Sequence, residues 1–257
     1  MTGDYAQRFG GMGRLYGHRG MERLAAARVC VIGVGGVGSW SVEALVRSGV
    51  GSLTMIDMDD VCVTNTNRQL PALADTTGRP KVTVLEERMK LINPACLVQS
   101  VPEFLTPSNA ERLLAGGYDF VIDAVDRAAI KALIIARCRD TGMPVLTVGG
   151  AGGRRDGTAV RCNDLAKSGG DDLLRLVRRQ LRREYGFPAA DGEAFGVSCV
   201  YSAEPQIFPW ADGTCRAEPE AGESLKMDCA SGFGAATFVT GAFGFAAAGE
   251  VVRRLTL

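Results

Sequence analysis

Apolar residues recur along this chain as short unbroken runs separated by segments of helical length. Arg28–Ile32 (R-V-C-V-I), Ser52–Ile56 and Tyr118–Ile122 are apolar or β-branched runs of strand length, with polar residues at their ends. Helical patterns fill the intervals from about Gly36 to Arg47, from Lys81 to about Ile92, and from Arg127 to Asp140. Strands alternating with helices predict a mostly parallel sheet flanked by helices, Rossmann-like in the first half. Later the pattern breaks up. Residues 187–222 carry Pro188, Pro205, Pro209 and Pro219 among short β-like runs at Gly196–Tyr201 and Gln206–Phe208, which predicts a late antiparallel portion and a crossover loop.

Two stretches have patterns of their own. Arg175, Arg178, Arg179, Arg182 and Arg183 lie on a predicted helix with Leu173, Leu176, Val177 and Leu181 at helical spacing. One face would be buried and the other strongly cationic, suited either to solvent or to RNA phosphates. Residues 230–249 carry no charge, yet they are rich in Gly, Ala and Thr with no Leu or Ile. A closely packed helix over about 230–252 is therefore expected rather than a membrane span, either inside the subunit or at a dimer interface.

The candidate chemistry begins directly after the first run. G-V-G-G-V-G places Gly33, Gly35, Gly36 and Gly38 between a strand and a helix, where backbone N–H groups and the helix dipole can face phosphate. Such turns alone have several uses. Asp57 ends the second strand, where a carboxylate can hold a ribose hydroxyl, and Asp59 follows two residues later. Asn65, Asn67, Arg68 and Gln69 then crowd polar groups into one loop. Arg68 offers a planar fork for phosphate oxygens, and Lys81 opens the next helix as a point charge that can reach a triphosphate. In D-A-V-D, Asp123 or Asp126 can hold Mg²⁺ at a strand end, and Asp126 can instead cap the following helix. A nicotinamide-dependent dehydrogenase would leave Asn65, Asn67, Arg68 and Lys81 without work.

In this order and spacing, G-V-G-G-V-G, D-M-D-D-V, N-T-N-R-Q, G-R-P-K-V and D-A-V-D resemble the adenylating domain of ubiquitin-activating-type enzymes, including the molybdopterin- and thiamine-pathway adenylyltransferases. The resemblance runs from about Arg8 to Gly150. It implies a single domain over 1–257, with an ATP-binding Rossmann-like part at 8–150 and a substrate or dimer part at 151–257. It further implies that Gly36 and Asp57 contact adenosine and ribose, that Asn65, Arg68 and Lys81 bind phosphates, and that Asp126 stands at the magnesium. An N-terminal arginine, Arg14 in preference to Arg8, would reach the ATP of the neighbouring protomer. T-V-G-G-A-G-G, D-L-A-K, G-V-S-C-V-Y-S and M-D-C-A-S-G-F-G-A-A-T are similar to segments of the bacterial tRNA threonylcarbamoyladenosine dehydratases. That branch uses ATP to cyclise a modified adenosine beside the anticodon. It implies tRNA as substrate, a homodimer, and a possible cysteine desulfurase or sulfur-acceptor partner.

The cysteines favour that branch. They stand at 30, 62, 96, 138, 162, 199, 215 and 229, with no C-x-x-C pair, so the structural zinc of sulfur-carrier adenylyltransferases is not expected. Activation of a ubiquitin-fold sulfur carrier stays the alternative, and a catalytically silent desulfurase partner stays open. Cys30 and Cys138 read as core residues, while Cys199 and Cys229 are candidate thiols in polar surroundings. The single histidine, His18, lies outside the motifs and argues against a histidine-based triad. No apolar leader precedes residue 28, and scattered cysteines fit a reducing compartment, so a cytoplasmic protein is expected. A net charge of zero points to no polyanion, so any RNA contact has to be local. Tyr201, Phe208 and Trp210 are available for base stacking.

Overall fold

The structure, a computed structural model, describes residues 3–190, 192–220 and 233–257. The apolar runs become strands β1 (Arg28–Ile32) and β2 (Ser52–Ile56) at the predicted bounds, joined by β3 (Leu97–Val101), β4 (Phe120–Asp123) and β5 (Val145–Val148). β6 (Val160–Asp164) and β7 (Ser198–Ser202) complete a seven-stranded sheet of order β3-β2-β1-β4-β5-β7-β6. Every pairing is parallel except that of β6 on β7. This is the predicted mostly parallel sheet with a late antiparallel portion.

The parallel strands need crossovers, and helices supply them on both faces. Because side chains alternate along a strand, Val29 and Val31 of β1 face one layer while Cys30 and Ile32 face the other. The first layer holds α1 (Gly3–Ala26), α2 (Gly38–Arg47), α3 (Lys81–Ile92) and α7 (Thr237–Thr256). The second holds α4 (Ala110–Leu114), α5 (Ala128–Asp140) and α6 (Asp172–Tyr185).

Several boundaries move for local reasons. α2 starts at Gly38 because Gly35 and Gly36 stay in the turn that precedes it. α5 starts at Ala128 after an extended Arg127, with no side-chain cap, so Asp126 does not cap it. On α6 the buried row is Leu174, Val177 and Leu181, whereas Leu176 is 37% exposed. The expected face was thus rotated by part of a turn.

α7 begins at Thr237, later than the uncharged stretch suggests, and runs through the charged residues to Thr256. Residues 230–232 lie outside the described residues, and 233–236 are not helical. Its small residues serve packing within the subunit. A Cβ added at Gly244 would stand 2.7 Å from both Trp40 Cβ and Val37 O of the α2 region. Ser41 Oγ also donates to Gly244 O at 3.2 Å. No helix among the described residues is long and apolar enough to cross a membrane. The loop after β7 folds back as β8 (Phe208–Pro209) and β9 (Cys215–Arg216).

α1 lies at the amino end of the sheet. Tyr5 Oη donates to Gly49 O at 2.6 Å, just before β2, and Arg8 reaches Ile92 O, before β3. The helix is kinked at Gly17, whose φ is 70°.

Candidate active site

The strand order reverses direction at β1 and β4, and the crevice beyond their carboxyl ends is where open α/β sheets take ligands. The glycine turn opens onto this crevice. Gly33 has φ 83°, and a Cβ there would lie 2.9 Å from Ala124 O; at Gly38 it would lie 1.8 Å from Gly33 O. Those two glycines are demanded by the turn itself. Gly35 leaves its backbone open beside Gln69, where an added Cβ would stand 3.7 Å from Nε2, whereas a Cβ at Gly36 would press on Thr240 Cγ2 at 3.3 Å, with Arg68 Cγ at 3.7 Å.

Asp57 braces the turn from the end of β2. Its carboxylate accepts from Val34 N–H at 2.7 Å and from Asp59 N–H at 2.9 Å. Burial pushes this carboxyl above its ordinary value, against the pull of the Asp59 amide and Lys81. Asp59 points the other way and pairs with Lys81 Nζ at 2.9 Å. Lys81 is only 5% exposed, and its backbone N–H also donates to Asp59 O at 3.0 Å. The first turn of α3 is thereby held against the loop after β2.

The N-T-N-R-Q loop is fastened at several points. Asn65 is buried, and its Oδ1 accepts from Cys62 N–H at 3.0 Å, closing a single 3-10 turn. Its side chain is therefore partly committed to the loop, and its Nδ2 carries no hydrogen bond among the described residues. Arg68 Nη1 donates to Thr64 O at 2.8 Å and Asn67 Oδ1 at 3.0 Å, its Nε and Nη2 carry no hydrogen bond among the described residues, and its Cγ lies beside Gly36. The Arg68 carbonyl accepts from Trp40 Nε1 at 3.1 Å and Thr240 Oγ1 at 3.2 Å. Asn67 donates to Ala235 O at 2.7 Å and receives Thr237 Oγ1 on its own carbonyl at 2.6 Å. The start of α7 thus clamps the polar loop from a distance of about 170 residues in sequence. Sequence reasoning missed this use of Trp40, Thr237 and Thr240; two threonines inside a small-residue stretch were the only signal.

The two aspartates of D-A-V-D part company. Asp123 is fully buried, accepting from Thr147 Oγ1 at 2.7 Å and from Lys131 Nζ at 3.2 Å. It is a structural ion pair rather than a metal ligand, because Oδ2 is taken by Thr147 and Lys131 and Oδ1 accepts from Val125 N–H at 3.2 Å. Asp126 is exposed, and its carboxylate has no hydrogen bond or ion pair among the described residues.

Arg14 and Arg8 do not join this cluster within the chain. Both lie on α1 at the amino end of the sheet, Arg8 bound to Asp4 at 2.8 Å and Arg14 exposed. Cys199 sits in β7 with no exposed surface, and burial pushes its thiol well above the ordinary range, so it is a core residue rather than a nucleophile. Cys229 lies outside the described residues. Cys30 and Cys138 are buried as expected. His18 pairs with Glu22 on α1, far from the crevice. Phe208 packs at a tilt against Phe233 with ring centroids 5.3 Å apart, and Trp210 lies under Arg216.

A nucleotide fits what is present. The glycine turn lies beside the Arg68 stem, the Asp57 carboxylate braces it, and Gln69, whose Oε1 is buried without a partner, stands beside Gly35. An orphaned buried acceptor is costly unless a ligand donates to it. Among the described residues the Asp126 carboxylate after β4 is unengaged, and as a hard oxygen donor it suits Mg²⁺, which would need phosphate oxygens for the rest of its shell.

Comparison with known proteins agrees with this arrangement. Residues 11–256 match the model of the ThiF family. The tRNA threonylcarbamoyladenosine dehydratase of Haemophilus influenzae is 49% identical, over 98% of this chain and 94% of that protein. The dehydratase of Escherichia coli K12 is 47% identical over the same shares. A solved structure of the E. coli enzyme in complex with ATP superposes with a TM-score of 0.87 at 42% identity, covering 99% of this chain and 96% of that one. With the family model spanning all but the ends of the sequence, and the glycine turn, polar loop and strand-end carboxylates assembled at one crevice, the chain belongs to the ThiF family.

Proposed function

We propose that this chain is an ATP-dependent dehydratase that cyclises threonylcarbamoyladenosine in tRNA through an acyl-adenylate. The observation that carries this reading is the likeness to named dehydratases over nearly the whole chain, beyond the nucleotide motifs they share with other adenylating enzymes. The absence of any C-x-x-C pair in the sequence sets the chain apart from sulfur-carrier adenylyltransferases with a cysteine zinc site.

In this reading the glycine turn and Asp57 hold adenosine and ribose, with Asn65 Nδ2 and the Arg68 fork on the phosphates. Lys81 exchanges Asp59 for a phosphate oxygen. Asp126 would hold Mg²⁺, which supplies charge neutralisation on the triphosphate. An oxygen of the threonyl carboxylate attacks the α-phosphorus, and the bond to the β-phosphate oxygen breaks to release pyrophosphate. Arg68 and Lys81 stabilise the charge that spreads onto the phosphates. A nitrogen of the same modified base then attacks the acyl carbon and loses its proton as the bond to AMP breaks. The nucleophile is already attached, so its effective concentration is high. The protein acts as a cytoplasmic homodimer in which Arg14 of one copy completes the site of the other.

The test is pyrophosphate release from ATP with tRNA bearing threonylcarbamoyladenosine, compared with a ubiquitin-fold sulfur carrier. Release with the tRNA and formation of AMP and a cyclised nucleoside are expected. Release with the carrier alone would overturn this reading in favour of sulfur-carrier activation.

A further inference from the structure

Helix α6 carries a concentration of charge that the ATP chemistry does not use. Leu174, Val177 and Leu181 bury one face, and Arg175, Arg178, Arg179, Arg182 and Arg183 together line one shallow surface pocket on the other. The helix runs from Asp172 to Tyr185, and at about 1.5 Å per residue its arginines extend for roughly 12 Å. Its acids, Asp172 and Glu184, engage Arg175 and Arg183, while the N-cap Asp171 turns inward to Leu174 and Gly150 N–H. Five arginines share this face with two exposed acids, so basic groups outnumber acidic ones along the helix of a chain whose net charge is zero.

Two of these arginines are also positioned. Arg178 donates to Ser168 Oγ at 2.5 Å, and Arg182 donates to Pro188 O at 3.1 Å and lies over the Phe195 ring. Arg179 is exposed and carries no interaction with another described residue. A solvated helix face would need no such ordering, whereas oriented guanidinium planes suit phosphate oxygens.

The stripe also has a direction. Asp171, at the head of α6, accepts from Gly150 N–H at 2.8 Å, so that end abuts the loop after β5 at the carboxyl edge of the sheet. The ATP crevice opens on the same edge. At that end Arg175 and Arg178 line a second cleft with Asp171, Asp172, Gln206 and Phe208, which adds an aromatic surface beside the charged one.

We propose that the exposed face of α6 is the RNA-backbone docking surface of this enzyme, taking phosphates of the substrate's stem while the modified base enters the crevice. This rests on the tRNA reading above and names where that substrate is held. RNA is favoured over an acidic protein because its phosphates are regularly spaced and lead to a base that must reach the crevice.

The experiment compares wild type with Arg175→Gln/Arg179→Gln/Arg183→Gln and with the corresponding triple lysine variant, using unmodified tRNA binding by fluorescence anisotropy across KCl concentrations. Thermal melting checks folding. The glutamine variant should bind roughly tenfold or more weakly at moderate salt, with the slope of log K against log[salt] shallower by about 2 to 3. The lysine variant should keep most of that slope, which a merely structural role for the arginines would not predict. Unchanged affinity and slope in the glutamine variant would overturn the inference. So would a KM for modified tRNA that stays at the wild-type value. Selective loss of binding to an acidic protein, with tRNA binding intact, would reassign the surface. Wild-type turnover of modified tRNA is measured first, so failure of the activity itself is told apart from failure of this surface.

Discussion

Asp57 does two jobs with one carboxylate: it accepts the Val34 amide of the glycine turn and the Asp59 amide of the loop after β2, and in the proposed reading it also holds the ribose. Its burial favours the protonated form, so it takes up a proton at a higher pH than an ordinary aspartate. Protonation removes acceptor capacity. ATP affinity should therefore fall as pH drops through a value above the ordinary 3.8, and Asp57→Asn should lose that dependence. Calorimetric titrations from neutral to mildly acidic pH, with the variant as baseline for the titration of ATP itself, check this. Cys199 makes the opposite point about a residue that looks chemical. A thiol reagent should label the exposed Cys162 and Cys215 in the folded protein and reach Cys199 only on unfolding, as read by mass spectrometry. In sequence, Asp57 was legible because a strand end and a glycine turn fix its surroundings. The surroundings of Cys199 depended on strand β7 being inserted between β5 and β6, which its flanking glycine and serines did not reveal.

Strand β4 and helix α5 are joined by the Asp123–Lys131 pair, fully buried on both sides. Removing one partner leaves a buried charge without compensation, which typically costs about 3–5 kcal/mol. Lys131→Met should lower stability on that scale in urea unfolding, and adding Asp123→Asn should recover part of the loss. Sequence reasoning offered Asp123 to a metal because it saw two carboxylates at a strand end and no partner. The partner sits eight residues on, in the first turns of α5, where helical geometry turns it back to the sheet. Strands β1 and β2 and helices α2, α3 and α5 were legible to within about two residues because their periods are clean, whereas α1, β3 and α4 were not read from the sequence at all. The start of α7 was not legible either, since Gly and Ala support a helix, a turn or a coil without changing the hydrophobic pattern.

At the scale of the molecule, α1 holds Arg14 at the amino edge of the sheet while Arg68 stands at the carboxyl edge, so no single chain brings them together. If a second copy supplies Arg14, Arg14→Ala and Arg68→Ala homodimers should both be nearly inactive. Random mixing of the two variants should then restore about a quarter of wild-type turnover, because half the pairs are mixed and each holds one intact site. Activity that stays at the level of the separate variants would place the complete site within one chain. The parallel sheet carries one more consequence. From β1 to β7 there are three strand steps, or about 15 Å at the usual interstrand spacing. The strands between the crevice and the head of α6 thus act as a rigid ruler. An RNA can be gripped at both ends only if its stem is long enough to bridge that interval. A free nucleoside or a trimmed loop should therefore turn over with a raised KM, while an anticodon stem-loop that reaches the arginines should approach full-length tRNA.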